Sequence, residues 1–295
     1  MSVTVRQVEV FLAVVEQGGF SAAADHLRMS QSAVSHTVAA LEREVGDQLV
    51  HRAPPSSATA LGQELVPHAR AVQSATRALE ARIALHRTGA TSGTVRLAVA
   101  PTAAHRLVPR LLRQWRTRLP DVRVTLFEGG DDELADWLDS GVVDAAVLID
   151  PEHVRPGAVV LAQDDFRAVV RSDHPLASEP VIALTDLLED PLLVSSSGCE
   201  PQIKGLHTRV GAPYRPAQRV HSIGTLLGMV DAGLGVAVMP SLASSMIGPE
   251  LVMVGLEPYL SRTLVLTGPA GRPWSPALRQ MCDVAALFSS DDADA

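Results

Sequence analysis

Cysteine is nearly missing from the 295 residues: Cys199 and Cys282 stand alone and far apart, which excludes a disulfide framework and zinc-ligand spacing. That usage fits a reducing compartment. No apolar stretch reaches the roughly 18 residues of a membrane span, and Arg6, Glu9 and Glu16 break up the N-terminal run that a signal peptide would need. The expected location is the cytoplasm. Catalytic signatures are missing too. There is no G-x-S-x-G, H-E-x-x-H or P-loop pattern, and the acidic pairs Asp131-Asp132 and Asp164-Asp165 read as solvated turns. The expectation is a protein that is not an enzyme and holds no metal or tightly bound cofactor. A basic excess is also absent. The net charge is −8, which argues against a nucleic-acid coat protein. The excess acid lies beyond residue 90, because residues 1–90 carry equal numbers of basic and acidic side chains.

Hydrophobic residues make up 46% and charged residues 20%, enough to bury substantial cores in two or three domains. The first segment is a run of helices. Val8, Phe11, Leu12 and Val15 form one apolar face, which Gly18-Gly19 ends. Phe20 and Ser21 then read as an apolar residue before an N-cap, opening the short helix SAAADHL. Arg28-Met29 makes a tight connection. Ser30 is a second N-cap, and MSQSAVSHTVAALE continues as a helix to about Val45, stopped by Gly46. Val34, Val38 and Leu41 recur at helical spacing on one face, while Ser32, His36 and Arg43 lie on the other. Two short helices joined by a tight turn, the second with small exposed residues, form a helix-turn-helix pattern. QLVHRAPPSSATALG follows as a hairpin with PPSS at its tip.

From Gln63 to about Leu85 the spacing predicts a long helix. Leu65, Ala69, Val72, Thr76, Leu79 and Ile83 alternate by four and three, the seam of a helix that pairs with a second chain. The alternative is a surface helix packed on its own domain. Residues 88–93, TGATSG, read as a hinge. Strand and helix patterns then alternate: TVRLAVA, His105 to Arg118, DVRVTLF, ELADWLDSG and VDAAVLI. That order calls for parallel strands with right-handed crossovers. A second set follows Pro156-Gly157: strands near 158–172, a helix near ALTDLLED, the strand PLLVSSS, a helix from Glu200, a strand ending at His221, then SIGTLLGMVDAGLGVAVMP. Two α/β lobes with a cleft between them would place a ligand at the carboxyl ends of the strands.

These stretches resemble a known family. FLAVVEQGGFSAAADHLRMSQSAVSHTVAALEREVGDQLVHR is similar to the N-terminal winged helix-turn-helix of LysR-type transcriptional regulators. The matches are AA-x-x-L in the second helix, S-Q-x-A-V-S and LE-x-x-x-G in the third, and L-V-x-R after it. PDVRVTLFEGG, SGVVDAAVLI, HPLA and DAGLGVAVMP extend the likeness over nearly the whole chain. The resemblance implies an α/β protein overall. An all-α winged helix-turn-helix spans 1–62, a linker and dimerisation helix 63–87, and a two-lobed effector domain shaped like a periplasmic binding protein 88–295. The expected lobes are about 93–162 with 266–290, and about 163–265. The implied partners are double-stranded promoter DNA, a homodimer or homotetramer, RNA polymerase, and a small polar or anionic co-inducer. A cytoplasmic solute-binding protein and a redox regulator acting through Cys199 are the alternatives.

Candidate site residues follow from the residues and the resemblance together. Ser30, Gln31, Ser32, Ser35 and His36 lie where a recognition helix meets bases or phosphates, and Arg43 and Arg52 would hold phosphates, with Arg28 and Arg6 as further candidates. Family members carry more basic residues near positions 36–40 and in the wing. Here Ala39, Ala40 and APPSS stand there. Fewer phosphate contacts imply a shallow salt dependence. Pro101 and Thr102, at the end of a strand, mark the family's effector site. Ser195, Ser196, Ser197, Gly198 and Cys199 precede a helix, where hydroxyls and free N–H groups suit an anion. His221 and Thr225 open a helix expected to face the same cleft. Leu65, Val72, Leu79 and Ile83 are the dimerisation candidates.

Overall fold

Burial of the apolar helix faces builds the N-terminal unit of the computed structural model, which describes residues 3–291. Helices α1 (Val5–Glu16), α2 (Phe20–Leu27) and α3 (Gln31–Val45) enclose one core of Phe11, Leu12, Val14, Val34, Val38 and Leu41. Local caps fix their ends. The Thr4 hydroxyl accepts from Gln7 N–H while the Gln7 side chain accepts from Thr4 N–H. The Ser30 hydroxyl accepts from Ala33 N–H at 3.2 Å. Helix α2 departs from expectation. Its N-cap is Gly19, with Phe20 already helical, so Ser21 caps nothing.

Strands β1 (Val50–His51) and β2 (Ser57–Ala58) pair antiparallel as the wing. Helix α4 (Ala60–Thr88) begins three residues earlier than its apolar period suggested. Thr59 caps it, accepting from Gly62 N–H and donating to the Gln48 carbonyl. Gly62 lies inside this helix because the Leu49 carbonyl oxygen would stand 2.2 Å from any Cβ there. The wing therefore rests directly on α4. Its seam splits in two. Leu65 and Ala69 pack on the helix-turn-helix core, whereas Val72, Leu79 and Ile83 stay 42%, 61% and 50% exposed.

Beyond the hinge, β3 (Gly93–Val99), β4 (Val122–Glu128) and β5 (Ala145–Ile149) are parallel, as expected. Helices α5 (Pro101–Arg118) and α6 (Asp131–Asp139) connect them. The next strand, β6 (Val159–Arg171), is continuous over 13 residues and belongs to two sheets. Its first half pairs antiparallel with β12 (Ser261–Thr267), which also pairs with β5. Its second half pairs with β10 (Val236–Pro240) and β11 (Leu251–Glu257). The exchange falls between Asp165 and Phe166. Both sheets are mixed, since β6 and β12 run against their neighbours.

The second sheet adds β7 (Val181–Ala183), β8 (Leu192–Ser195) and β9 (Gln218–Val220). Helices α7 (Glu200–Arg209) and α8 (Ile223–Asp231) cover it. ALTDLLED folds only into a 3-10 turn, Leu184–Leu187. Helix α9 (Pro276–Asp291) returns to the first sheet, where the Trp115 indole N–H donates to the Met281 carbonyl. Each sheet has its own apolar cores: Val95, Leu97, Trp115 and Met281 under the first, Phe166, Val194, Leu206 and Val238 under the second.

Candidate nucleic-acid interface and effector cleft

Helix α3 is an amphipathic helix held by its apolar side alone. Val34 and Val38 are fully buried, and Gln31, Ser32 and His36 are exposed on the far face. Gln31, Ser35 and His36 make no side-chain hydrogen bond to any described residue. Their donors and acceptors are available to an outside partner. The Ser30 and Ser32 hydroxyls lie 3.0 Å apart at the helix start. The neighbouring cations are less free. Arg52 pairs with Glu42 at 3.2 Å and lies over the Phe20 ring, and Arg6 pairs with Glu9 at 2.6 Å. Arg43 is exposed, its Nε–H reaching only the Ala39 carbonyl. The outward surface is thus polar, with few uncommitted charges.

The other candidate lies where β3, β8 and β10 end, against the starts of α5, α6 and α8. A cavity there is lined by Pro101, Thr102, Asp131, Ser195, Ser197 and Cys199 on its polar side, with Ile203, Ile223 and Leu226 behind. Its free volume is about 20 Å³, room for about one water. Beside it, β12 supplies Arg262, 1% exposed. This guanidinium bonds Asp164 at 2.6 and 3.2 Å, donates to the Thr102 hydroxyl at 3.0 Å and touches Cys199 Sγ at 3.7 Å. Asp164 also accepts from Leu242 N–H. The cation is therefore fully engaged within the protein.

Asp131, first residue of α6, is the unsatisfied group. One carboxylate oxygen is buried without a partner, and burial pushes its pKa up to about 6 against the opposing pull of Arg262. A Cβ at Gly198 would stand 2.8 Å from that carboxylate, so glycine there lets the α7 loop close over the acid. Burial also pushes the Cys199 thiol up to about 12, with Arg262 only partly opposing.

These two sites sit on segments that match family models. Residues 5–63 match the bacterial regulatory helix-turn-helix protein, lysR family, and residues 88–287 match the LysR substrate binding domain. The chain belongs to the LysR family. YvbU, an uncharacterized HTH-type transcriptional regulator of Bacillus subtilis, is 30% identical over 293 residues, 98% of this chain and 100% of that one. Full-length OxyR from Pseudomonas aeruginosa shares the fold with a TM-score of 0.75 at 23% identity, over 97% of this chain and 98% of that one. Full-length CbnR, solved with its target DNA, gives 0.67 at 23% identity over 97% and 100%. The protein is a LysR-type transcriptional regulator, and the family is one of regulators rather than enzymes. Among the described residues no helix is long and apolar enough to cross a membrane, and no cluster of ligating side chains could hold a metal.

Of the residues the sequence nominated for this LysR effector cleft, Pro101, Thr102, Ser195, Ser197 and Cys199 converge on the cavity, and Gly198 abuts Asp131. Ser196, His221 and Thr225 do not. All three are exposed: Ser196 braces the Val220 carbonyl, and Thr225 lends only its N–H to the Ser222 cap. The serine loop is likewise satisfied locally, since Ser197 donates to the His221 carbonyl at 2.9 Å and lies 2.7 Å from the Ser195 hydroxyl. The acidic pairs are not solvated turns. Asp164 is buried in an ion pair, and Asp131 turns inward while Asp132 remains exposed. Sequence reasoning missed Asp131, Asp164 and Arg262. An arginine at the second position of the strand SRTLVLT, just before its apolar run, was the available signal, but its partner lies 98 residues away.

Proposed function

We infer that this LysR regulator binds promoter DNA through α3 as a homo-oligomer and responds to a small polar effector held beside Asp131. The observation that supports DNA reading is the set Gln31, Ser35 and His36: polar side chains at a helix start with no internal partner, on a core-anchored helix. CbnR, of the same fold, is solved with its target DNA. The wing tip and the exposed face of α3 add few free cations, so bases and oligomer avidity carry more of the affinity than phosphates do. Val72, Leu79 and Ile83 offer an exposed apolar seam for a second copy, and a DNA-binding role supports a cytoplasmic location.

The cleft favours a ligand that donates hydrogen bonds over a plain anion. Arg262 is already committed to Asp164, whereas Asp131 offers a buried acceptor. The cavity must widen to admit a metabolite, which couples binding to lobe movement. A redox response through Cys199 is disfavoured, because a thiol at about 12 is not ionised near neutrality.

The test is fluorescence anisotropy of the full-length protein on DNA from upstream of its own gene. Expected are a saturable complex and a log–log salt slope shallower than about −8. A Gln31→Ala, His36→Ala double variant that binds this DNA as tightly as wild type would overturn the reading.

A further inference from the structure

A second cavity, about 380 Å³, separates α4 from the first lobe, within the size range of small-ligand sites. Three guanidiniums meet there: Arg77 from α4, Arg96 from β3 and Arg272 from the loop before α9. A single buried-side carboxylate, Asp144, faces them, with Glu80 on the exposed rim. Asp144 is consumed by Arg96, accepting from its Nε–H, its Nη2–H and its backbone N–H at 2.9–3.1 Å. Arg77 reaches Asp144 only at 3.7 Å and makes no closer bond. Arg272 spends Nη2 on the Leu138 and Val143 carbonyls, leaving a buried Nε–H without any acceptor.

Buried donors without acceptors and like charges held close are both costly, and a single bound anion relieves both. Burial lowers the pKa of Arg77 first and the Arg96 charge adds to it, against the pull of Asp144 and Glu16, and burial lowers that of Arg272 against the pull of Asp144 and Asp139. Apolar lining stands beside the cations on both sides: Ala81 and Ala84 next to Arg77 on α4, Trp274 and Leu278 next to Arg272. Ser74, Arg77, Ala78, Ala81 and Ala84 form one stripe of α4, on the side away from Val72, Leu79 and Ile83. Pairing of α4 with a second copy along that apolar seam leaves the cavity side free.

We propose that this joint is a second ligand site, taking a small organic anion whose carboxylate or phosphate sits between Arg77 and Arg272 and whose apolar body lies on Trp274. A bound anion bridges α4 to the effector lobe, so its occupancy stiffens the joint between the linker helix and that lobe. This site is separate from the cleft and does not depend on what the cleft binds.

The experiment is calorimetric titration of the full-length protein with phenylacetate, inorganic phosphate and, as a charge control, phenethylamine. Expected is saturable phenylacetate binding and no phenethylamine binding at this site. Phosphate binding without phenylacetate binding assigns the head group but removes the apolar half of the proposal. Arg77→Gln and Arg272→Gln should each weaken binding roughly ten- to a hundredfold. Arg272→Gln also frees two carbonyls, so Ala81→Trp serves as the second variant: it fills the cavity with every charge retained and should abolish binding. No binding of either anion to wild type overturns the proposal, as does binding that Arg77→Gln and Ala81→Trp both leave intact.

Discussion

The face of α3 and the cleft between the lobes are both polar, and they solve the problem of polar groups in opposite ways. On α3, Gln31, Ser35 and His36 stand on a core-anchored helix without a side-chain hydrogen bond to any described residue, so water satisfies them until a partner comes. In the cleft Arg262, Asp164 and Thr102 are removed from water and satisfy one another, while Asp131 keeps one buried oxygen unpaired. A surface that binds a preformed groove can stay open. A site that reports occupancy must change when it fills, and a self-paired network with about 20 Å³ of space leaves something to change.

The contrast predicts different penalties. The largest effect should come from Arg262→Met, which strands the buried Asp164 carboxylate and costs about 3–5 kcal/mol by urea denaturation. Removing both charges in Arg262→Met with Asp164→Leu should recover most of that loss. If the single variant is harmless, the cleft is not the closed network described. On α3, Gln31→Ala with His36→Ala should weaken promoter binding by about 1–3 kcal/mol per lost base contact, with thermal stability within about 0.5 kcal/mol of wild type. A large drop in melting temperature would instead make that face part of the fold.

Asp131→Asn is smaller and has a sign. The folded-state pKa of about 6 lies above the ordinary carboxylate value of 3.8, so keeping Asp131 ionised opposes folding above pH 6. Its favourable share is complete below pH 3.8 and is lost as pH rises through 6. Asn should therefore stabilise by roughly 1–3 kcal/mol at pH 7.5 and by almost nothing at pH 3.8 in paired chemical-denaturation curves. The same acid should make a donor ligand bind more tightly as pH rises through 6. Smallest of all, Ser196→Ala and Thr225→Ala should leave both stability and effector response unchanged, because neither side chain reaches the cavity.

The helix-turn-helix was legible because its signals are local. Val34, Val38 and Leu41 repeat at the helical period, and Ser30 caps a turn three residues away. Ser21 misled because a good capping residue beside an apolar one ignores where Phe20 packs; that ring joins the core as part of the helix. In the cleft, Thr102 and Cys199 were legible from strand ends and helix starts. Their neighbours were not: Asp131 and Asp164 sit in acidic pairs that look solvated, and only the fold shows one member of each turned inward.

By itself the sequence determined the order of elements, the recognition helix with its sparse charge, and the family, since each depends on short-range spacing. Tertiary structure alone decided that β6 serves two sheets, that Arg262 joins Asp164 to Thr102 across 98 and 160 residues, and that α4 leans on Asp144 through Arg77. Ion pairs between distant strands leave no period in the chain. They exist only because burial raises the cost of leaving either charge alone.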